Sequence, residues 1–168
     1  MQNKEWGINV IRFFVLLLLQ VLLFNHINFL GYINPYVYLI FILLFPFTGN
    51  QTLLIFLSFL LGLSIDVFSD SGGVHAAASV LIAYLRPGFL KLSFGVSYLH
   101  NTVKISEARF NQIITYVVAM VFIHHLVLFT LEIFNPKHIL LILKSTLFSG
   151  IFSTILIVSS FVLFSRKK

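Results

Sequence analysis

The sequence predicts an all-α membrane protein, and three observations lead to this fold class. Hydrophobic residues make up 59% of the 168 residues and charged residues only 10%, whereas a soluble domain has about 45–50% apolar and about 25% charged residues. Apolar runs close to the ~20 residues that cross a bilayer recur along nearly the whole chain. The runs do not alternate between polar and apolar residues, which is typical of helices and not of barrel strands.

Residues 1–168 are expected to form a single polytopic membrane domain with six transmembrane helices. The longest polar stretch, Gly95–Asn111, is too short for a soluble domain. Turn-forming residues such as Gly31, Asn50 and Pro136 separate the apolar runs. The predicted spans, in chain order, are Ile8–Phe24, Pro35–Phe47, Thr52–Phe68, Val74–Leu85, Ile113–Phe134 and Ile139–Phe164.

Two of these spans leave alternatives open. In the second, Pro35–Phe47, the stretch Tyr36–Phe47 covers only about 18 Å at ~1.5 Å per helical residue, which is short of the ~30 Å hydrocarbon core. A re-entrant segment, with five spans in total, is the alternative. The fourth span meets Pro87, and proline disfavours helix at the residue before it. This span either stops near Leu85 or kinks and continues to about residue 92.

The basic residues predict the orientation of the chain. With six spans, nine of the eleven Lys and Arg residues fall on the side of both termini. Cytoplasmic loops carry an excess of Lys and Arg, so both termini are expected in the cytoplasm, and the charge of +6 indicates topology and not nucleic-acid binding. The nine basic residues on the side of the termini are Lys4, Arg12, Arg86, Lys91, Lys104, Arg109, Arg166, Lys167 and Lys168, and the other two are Lys137 and Lys144.

Residues 102–112 mix apolar and charged side chains and form either a short helix on the membrane surface or a solvated loop.

Motifs that carry chemistry are absent from the sequence. Without cysteine, disulfides, thiolate catalysis and thiolate metal ligation are excluded. No G-x-S-x-G, Walker or G-x-G-x-x-G motif occurs. His124 and His125 lie in the middle of the fifth span, but they lack the further ligands that a metal site needs. We therefore expect no catalytic, cofactor-binding or metal-binding residues and no enzyme activity.

Small residues recur at every fourth position on two predicted helices. Ser145, Ser149 and Ser153 share one face of the sixth span, and a similar stripe lies on the third. Helices in lipid associate through small residues and polar contacts, so these faces predict close helix packing or a partner interface. The candidate residues in and after the third span are Ser58, Gly62, Asp66, Gly72, Gly73 and Ala76.

Asp66 is the one charged residue of the span Thr52–Phe68. A charge at the bilayer centre costs roughly 2.5–3.5 kcal/mol, so such residues usually face a partner, water or a functional site. Three alternatives stay open for Asp66: it caps the glycine-containing turn that follows, it pairs with a neighbouring helix or subunit, or it handles a proton or ion.

Glu132 and Lys144 flank the turn of the last predicted hairpin. A structural ion pair across the hairpin is the candidate interpretation. The alternative is that both side chains extend toward the membrane surface.

The segment from Gly62 to Pro87 resembles the rod shape-determining protein MreD family. The shared pattern is Gly62, three residues, Asp66, a short turn with Gly72 and Gly73, and a helix start rich in alanine. It covers about 25 residues, and the rest of the chain is similar to the family in hydropathy and length. Arg86 followed by proline resembles a subgroup of the family, which adds Arg86 to the candidate interface residues.

The resemblance implies a non-enzymatic component of the bacterial cell-elongation machinery in the cytoplasmic membrane, which helps to maintain cell shape by scaffolding lateral peptidoglycan synthesis. The implied partner is a bitopic MreC-like protein, with indirect links to the actin-like MreB and to the elongation-specific glycosyltransferase and transpeptidase. The implied fold is similar to the six-helix substrate-binding subunits of energy-coupling-factor transporters.

A vitamin-binding subunit of a small-molecule transporter is the alternative function. Such sites gather several polar side chains near the membrane midplane. In this sequence the polar residues lie mainly at the ends of the spans, apart from His124 and His125, which favours the scaffold.

Overall fold

Five long helices and one short helix form the described structure. It is a computed structural model that describes residues 2–31, 33–46, 50–95 and 108–164. Two 3-10 helices, Phe24–His26 and Pro136–His138, lie in loops. The α-helices are α1 (Gln2–Leu22), α2 (Leu39–Leu44), α3 (Gln51–Ser69), α4 (Val74–Phe94), α5 (Phe110–Ile133) and α6 (Ile139–Phe164). The predicted all-helical class is confirmed for this part of the chain.

Every helix except α2 is long and apolar enough to cross a membrane. Large apolar side chains, among them Phe14, Val67 and Leu163, are exposed on the outside of the bundle. Such a surface is expected where the solvent is lipid and not water. These features are compatible with a multi-pass membrane protein.

The second predicted span differs from the prediction. Only Leu39–Leu44 is helical, about 9 Å at ~1.5 Å per residue. Two prolines explain its limits: Pro35 lacks a backbone N–H, and Pro46 forces Phe45 into an extended conformation with ψ 141°. The segment is nevertheless deeply buried, and the long helices surround it.

From α3 to α6, each long helix packs on the next one in the chain. α3 packs on α4, α4 on α5 and α5 on α6, while α1 packs on α3 and the central α2 contacts α1, α4 and α5. We call the end with residues 23–34, 70–73 and 134–138 the turn end. The opposite end, which contains Arg12 and Arg86, is the arginine end.

Side chains from α1 and α6 satisfy the non-helical backbone before α2. Gln20 donates to the Pro35 carbonyl at 3.1 Å, and its Oε1 accepts from the Val37 N–H at 2.9 Å. Ser149 and Ser153 accept the N–H groups of Asn34 and Tyr36 at 3.2 and 2.9 Å. Non-helical backbone at membrane depth is tolerated where protein groups replace water. Serines of the stripe on α6 therefore accept hydrogen bonds from the backbone of this segment.

The fourth span continues through Pro87 to Phe94, as the longer of the two alternatives predicts. Proline cannot donate to the carbonyl four residues earlier, which here belongs to Ala83. The side chain of Gln51 on α3 donates to this carbonyl at 2.6 Å. A neighbouring helix thus supplies the hydrogen bond that Pro87 removes.

The loop before α5 lies largely outside the described residues. Most of the predicted surface helix or loop at 102–112 falls there, and α5 already includes its last residues from Phe110 onward.

Candidate functional site

Asp66 joins the end of α3 to the beginning of α4. Asp70, with a left-handed φ of 51°, ends α3, and Gly72 and Gly73 follow with φ of 67° and 95°. This turn returns the chain so that the first residues of α4 face Asp66. The Asp66 carboxylate accepts the N–H of His75 at 3.0 Å and that of Ala76 at 2.8 Å. It thereby satisfies two of the free N–H groups that begin a helix, where negative charge is favourable.

The same carboxylate holds two side chains of the turn. Asp66 Oδ1 accepts from the Ser71 hydroxyl at 2.6 Å and lies 2.9 Å from His75 Nδ1. Within the described ranges, Asp66 and His75 form the one carboxylate contact at salt-bridge distance, and it is an ion pair when the imidazole is protonated. These contacts make Asp66 a cap for the start of α4 and also pair it with His75 of that neighbouring helix, so the first two of the three alternatives apply together.

Ser71, His75 and Asp66 have the residue types of a hydrolytic triad but not its geometry. In a triad the two imidazole nitrogens serve different partners, one the acid and the other the nucleophile. Here the Ser71 hydroxyl and the Asp66 carboxylate both approach His75 Nδ1, at 3.1 and 2.9 Å. The imidazole therefore cannot pass a proton between them, and the cluster has the geometry of a structural cap.

The stripe on α3 packs directly against α4. A Cβ on Gly62 would lie 2.6 Å from both the Ala76 Cα and the His75 carbonyl oxygen. Ser58 and Asp66, one turn to either side of Gly62, are buried. This face of α3 therefore packs against α4 within the chain. Of the candidate residues in this hairpin, only the turn glycines extend to the surface: Gly72 is exposed and Gly73 is half-buried.

Arg86 is buried at the arginine end of the bundle. Its Nε donates to the Tyr116 hydroxyl at 2.9 Å, and its guanidinium donates to the carbonyls of Leu43 and Phe45. Arg12 on α1 donates to the Leu44 carbonyl at 3.2 Å. Two cations thus cap the C-terminus of α2, where carbonyl groups lack helical partners and positive charge is favourable. From the sequence, Arg12 was predicted only as a topology signal, whereas Arg86 was also a candidate interface residue.

A buried cluster of histidines and tyrosines lies between these two ends. The Tyr38 hydroxyl is 2.7 Å from His124 Nε2. His125 contacts the Val121 carbonyl through Nδ1 and Ser153 through Nε2, at 2.8 and 3.0 Å. The ring of Tyr36 packs between the histidines, 5.1 Å from the ring of His125 and 5.7 Å from that of His75.

Sequence reasoning found only the two adjacent histidines of this cluster. No spacing in the sequence connects them to Tyr36, Tyr38 or His75, because these residues come from different elements. In the ranges that the structure describes, no group of three His, Cys, Asp or Glu residues could hold a metal ion.

The predicted ion pair between Glu132 and Lys144 is not formed in the structure. Both side chains are exposed, and they make no salt bridge. The helical period explains why: Ile142, Ser145 and Ser149 form the buried face of α6, and Lys144 lies on another face that points away from the bundle.

Glu132 instead lines a cavity of about 200 Å³ at the turn end. Tyr36, Phe129 and Ser145 form its buried floor. The loop after α1 forms part of its rim, where Phe29 and Ile33 exchange two backbone hydrogen bonds. The described residues that line the cavity are Asn28, Gly31, Asn34, Tyr36, Phe129, Glu132, Ile133, Leu141 and Ser145.

Comparisons of this chain with protein-family models, with curated proteins and with solved structures found no match.

Proposed function

We propose that this chain is a non-enzymatic scaffold of the bacterial cell-elongation machinery, of the MreD type. One observation carries the proposal: the residues of the MreD-like pattern form a single structural unit. Asp66 caps α4, Gly62 allows Ala76 to approach, and the turn glycines reverse the chain. Each of these residues builds the α3–α4 hairpin.

The proposed scaffold crosses the membrane six times, with segment 33–46 as the second crossing. Hydrogen bonds of this segment run from Gln20 near the turn end to Arg12 and Arg86 at the arginine end. Both termini then share the arginine end, and the excess of Lys and Arg supports a cytoplasmic position for that end. The membrane is the bacterial cytoplasmic membrane, and the overall arrangement is similar to that of the six-helix transporter subunits.

The proposed partner is a bitopic MreC-like protein, through which the chain is linked to MreB and to the glycosyltransferase and transpeptidase of elongation. The exposed Gly72 turn is the part of the family-like pattern that a partner can reach. The buried residues of the pattern, Asp66 among them, act through the shape of the hairpin.

A substrate-binding subunit of a transporter is the second candidate, and the cavity at the turn end is the observation that favours it. Its volume of about 200 Å³ is below the roughly 300–1,000 Å³ of typical small-molecule pockets. A vitamin would not fit without rearrangement, so the scaffold is the better supported function.

Depletion of the protein from its host tests the proposal. We expect rod-shaped cells to become round, and we expect purification in mild detergent to recover a bitopic membrane protein. Variant Gly62→Leu, which separates α3 from α4, should fail to restore the rod shape, while Gly88→Ala should restore it. Unchanged cell shape together with recovery of ATPase subunits would support the transporter instead.

A further inference from the structure

The cavity at the turn end has an acidic wall over an aromatic floor. Glu132 is the one charged side chain among the described residues that line it. In the described part of the chain this carboxylate forms no salt bridge. The cavity therefore offers a negative charge that no basic side chain of the described lining neutralises.

The floor adds groups that suit a cation with N–H donors. The rings of Tyr36 and Phe129 lie 6.1 Å apart and are nearly perpendicular, at 66°, and aromatic faces attract ammonium groups within about 6 Å. Ser145 and Tyr36 carry hydroxyl oxygens that can accept hydrogen bonds from an ammonium. A primary ammonium has three donors, which match one carboxylate and two neutral acceptors.

The size and position of the cavity limit the ligand. A volume of about 200 Å³ corresponds to roughly six or seven water molecules at ~30 Å³ each, which accommodates a headgroup of a few heavy atoms. Glu132 is the penultimate residue of α5, and the turn follows at once. The cavity thus lies at the boundary between the apolar spans and the turns, which is the level of lipid headgroups.

We propose that this cavity binds a primary ammonium group, with Glu132 as its counterion. The group belongs either to the ethanolamine headgroup of a membrane lipid or to a free small amine. The proposal is independent of the role in cell elongation, because it rests only on the cavity and its lining.

Native mass spectrometry of the full chain released from nanodiscs tests the proposal. The nanodiscs contain equal amounts of phosphatidylethanolamine, phosphatidylcholine and phosphatidylglycerol. The wild-type protein should retain phosphatidylethanolamine in several-fold excess over the other two lipids. Variant Glu132→Gln should weaken this retention by about tenfold, the loss expected for one charge-assisted contact.

Asp70→Asn is the matched control. Asp70 is an exposed carboxylate at the same end of the bundle, outside the cavity lining, so its loss should leave lipid retention unchanged. Titration of ethanolamine into phosphatidylglycerol nanodiscs separates the two sources. Saturable binding that depends on Glu132 supports a free amine as ligand, whereas retention of the lipid without ethanolamine binding supports the lipid alone.

Three results would overturn the proposal. The first is that neither phosphatidylethanolamine nor ethanolamine binds to the wild-type protein. The second is that Glu132→Gln binds as well as the wild type. The third is equal retention of phosphatidylcholine, whose headgroup lacks N–H donors, because it contradicts the requirement for a primary ammonium.

Discussion

At the scale of single residues, Asp66 shows how a carboxylate is accommodated in an apolar helix. Its two oxygens accept from two backbone N–H groups at the start of α4 and from the Ser71 hydroxyl, and they contact the imidazole of His75. Charge-assisted bonds of this kind are about twice as strong as neutral ones. The cost of placing the carboxylate in the span is thereby offset within the hairpin itself.

The first prediction concerns the charge and the oxygens of Asp66. In Asp66→Asn one oxygen still accepts, but the amide NH₂ faces an N–H donor, so we expect a loss of roughly 1–3 kcal/mol in unfolding free energy. In Asp66→Leu no acceptor remains, and the loss should exceed about 3 kcal/mol because several donors are left buried without a partner. Reversible unfolding by SDS in mixed micelles measures both variants.

The exposed Asp70 is the control for this pair. Asp70→Asn should change the unfolding free energy by less than about 0.5 kcal/mol. If Asp66→Asn and Asp66→Leu were equally and severely impaired in function at unchanged stability, proton handling would replace the capping role.

Two glycines allow a matched test of helix contact. Gly62→Ala places a methyl group 2.6 Å from the Ala76 backbone, so α3 and α4 must separate, and overpacking of this kind typically costs about 1–3 kcal/mol. Gly88→Ala has no heavy atom within 4 Å of the new Cβ and should stabilise α4 by up to about 1 kcal/mol, since alanine favours helix. The same SDS unfolding assay compares the two. A Gly62→Ala variant as stable as the wild type would contradict the close contact.

At the scale of elements, the segment before α2 depends on side chains from other helices. Ser153 accepts the Tyr36 N–H, whereas Ser160, two turns further along α6, donates to the Leu156 carbonyl of its own helix. Ser153→Ala should therefore accelerate hydrogen exchange in residues 33–46 by roughly tenfold, because a buried N–H loses its acceptor. Ser160→Ala should leave this exchange unchanged. Equal exchange in the two variants would mean that the serine contact does not hold the segment.

The contact between Gln51 and α4 predicts coupling with a proline. Gln51 donates to the Ala83 carbonyl that Pro87 leaves without a helical donor. Pro87→Ala restores that donor, so Gln51→Leu should destabilise the protein less in the Pro87→Ala background. A double-mutant cycle should give a coupling energy of roughly 1 kcal/mol, and simple additivity would reject the compensation.

At the scale of the whole molecule, the placement of the arginine end predicts the topology. A reporter enzyme that is active only outside the cytoplasm should be inactive when it is fused after Lys168. The same reporter inserted in the turn at 134–138 should be active, because that turn lies at the opposite end of the bundle. The reverse pattern would place the arginine end outside and would contradict the excess of basic residues as a cytoplasmic signal.

Much of the fold could be predicted because it depends on local properties of the sequence. The five long helices were predicted from apolar runs bounded by turn residues. The short length of Pro35–Phe47 indicated that this segment differs from the other spans. A cap was one of three roles that the sequence left open for Asp66, because a carboxylate before two glycines suits a turn. In each case the deciding residues lie within a few positions of one another, so the sequence displays them together.

What the sequence by itself determined is the apolar character of this protein, its long helices and the turn that follows Asp66. Only the tertiary structure decided which polar groups meet inside the bundle. The Gln20 side chain accepts a hydrogen bond from the Val37 N–H, 17 residues away in the sequence. The Tyr38 hydroxyl forms a hydrogen bond with His124, 86 residues away. Most buried polar groups form hydrogen bonds. Hydropathy indicates that a polar group is buried, but it does not indicate which group forms the hydrogen bond with it. The packing of α2 between the long helices selects the partner, because it places those atoms within hydrogen-bonding distance.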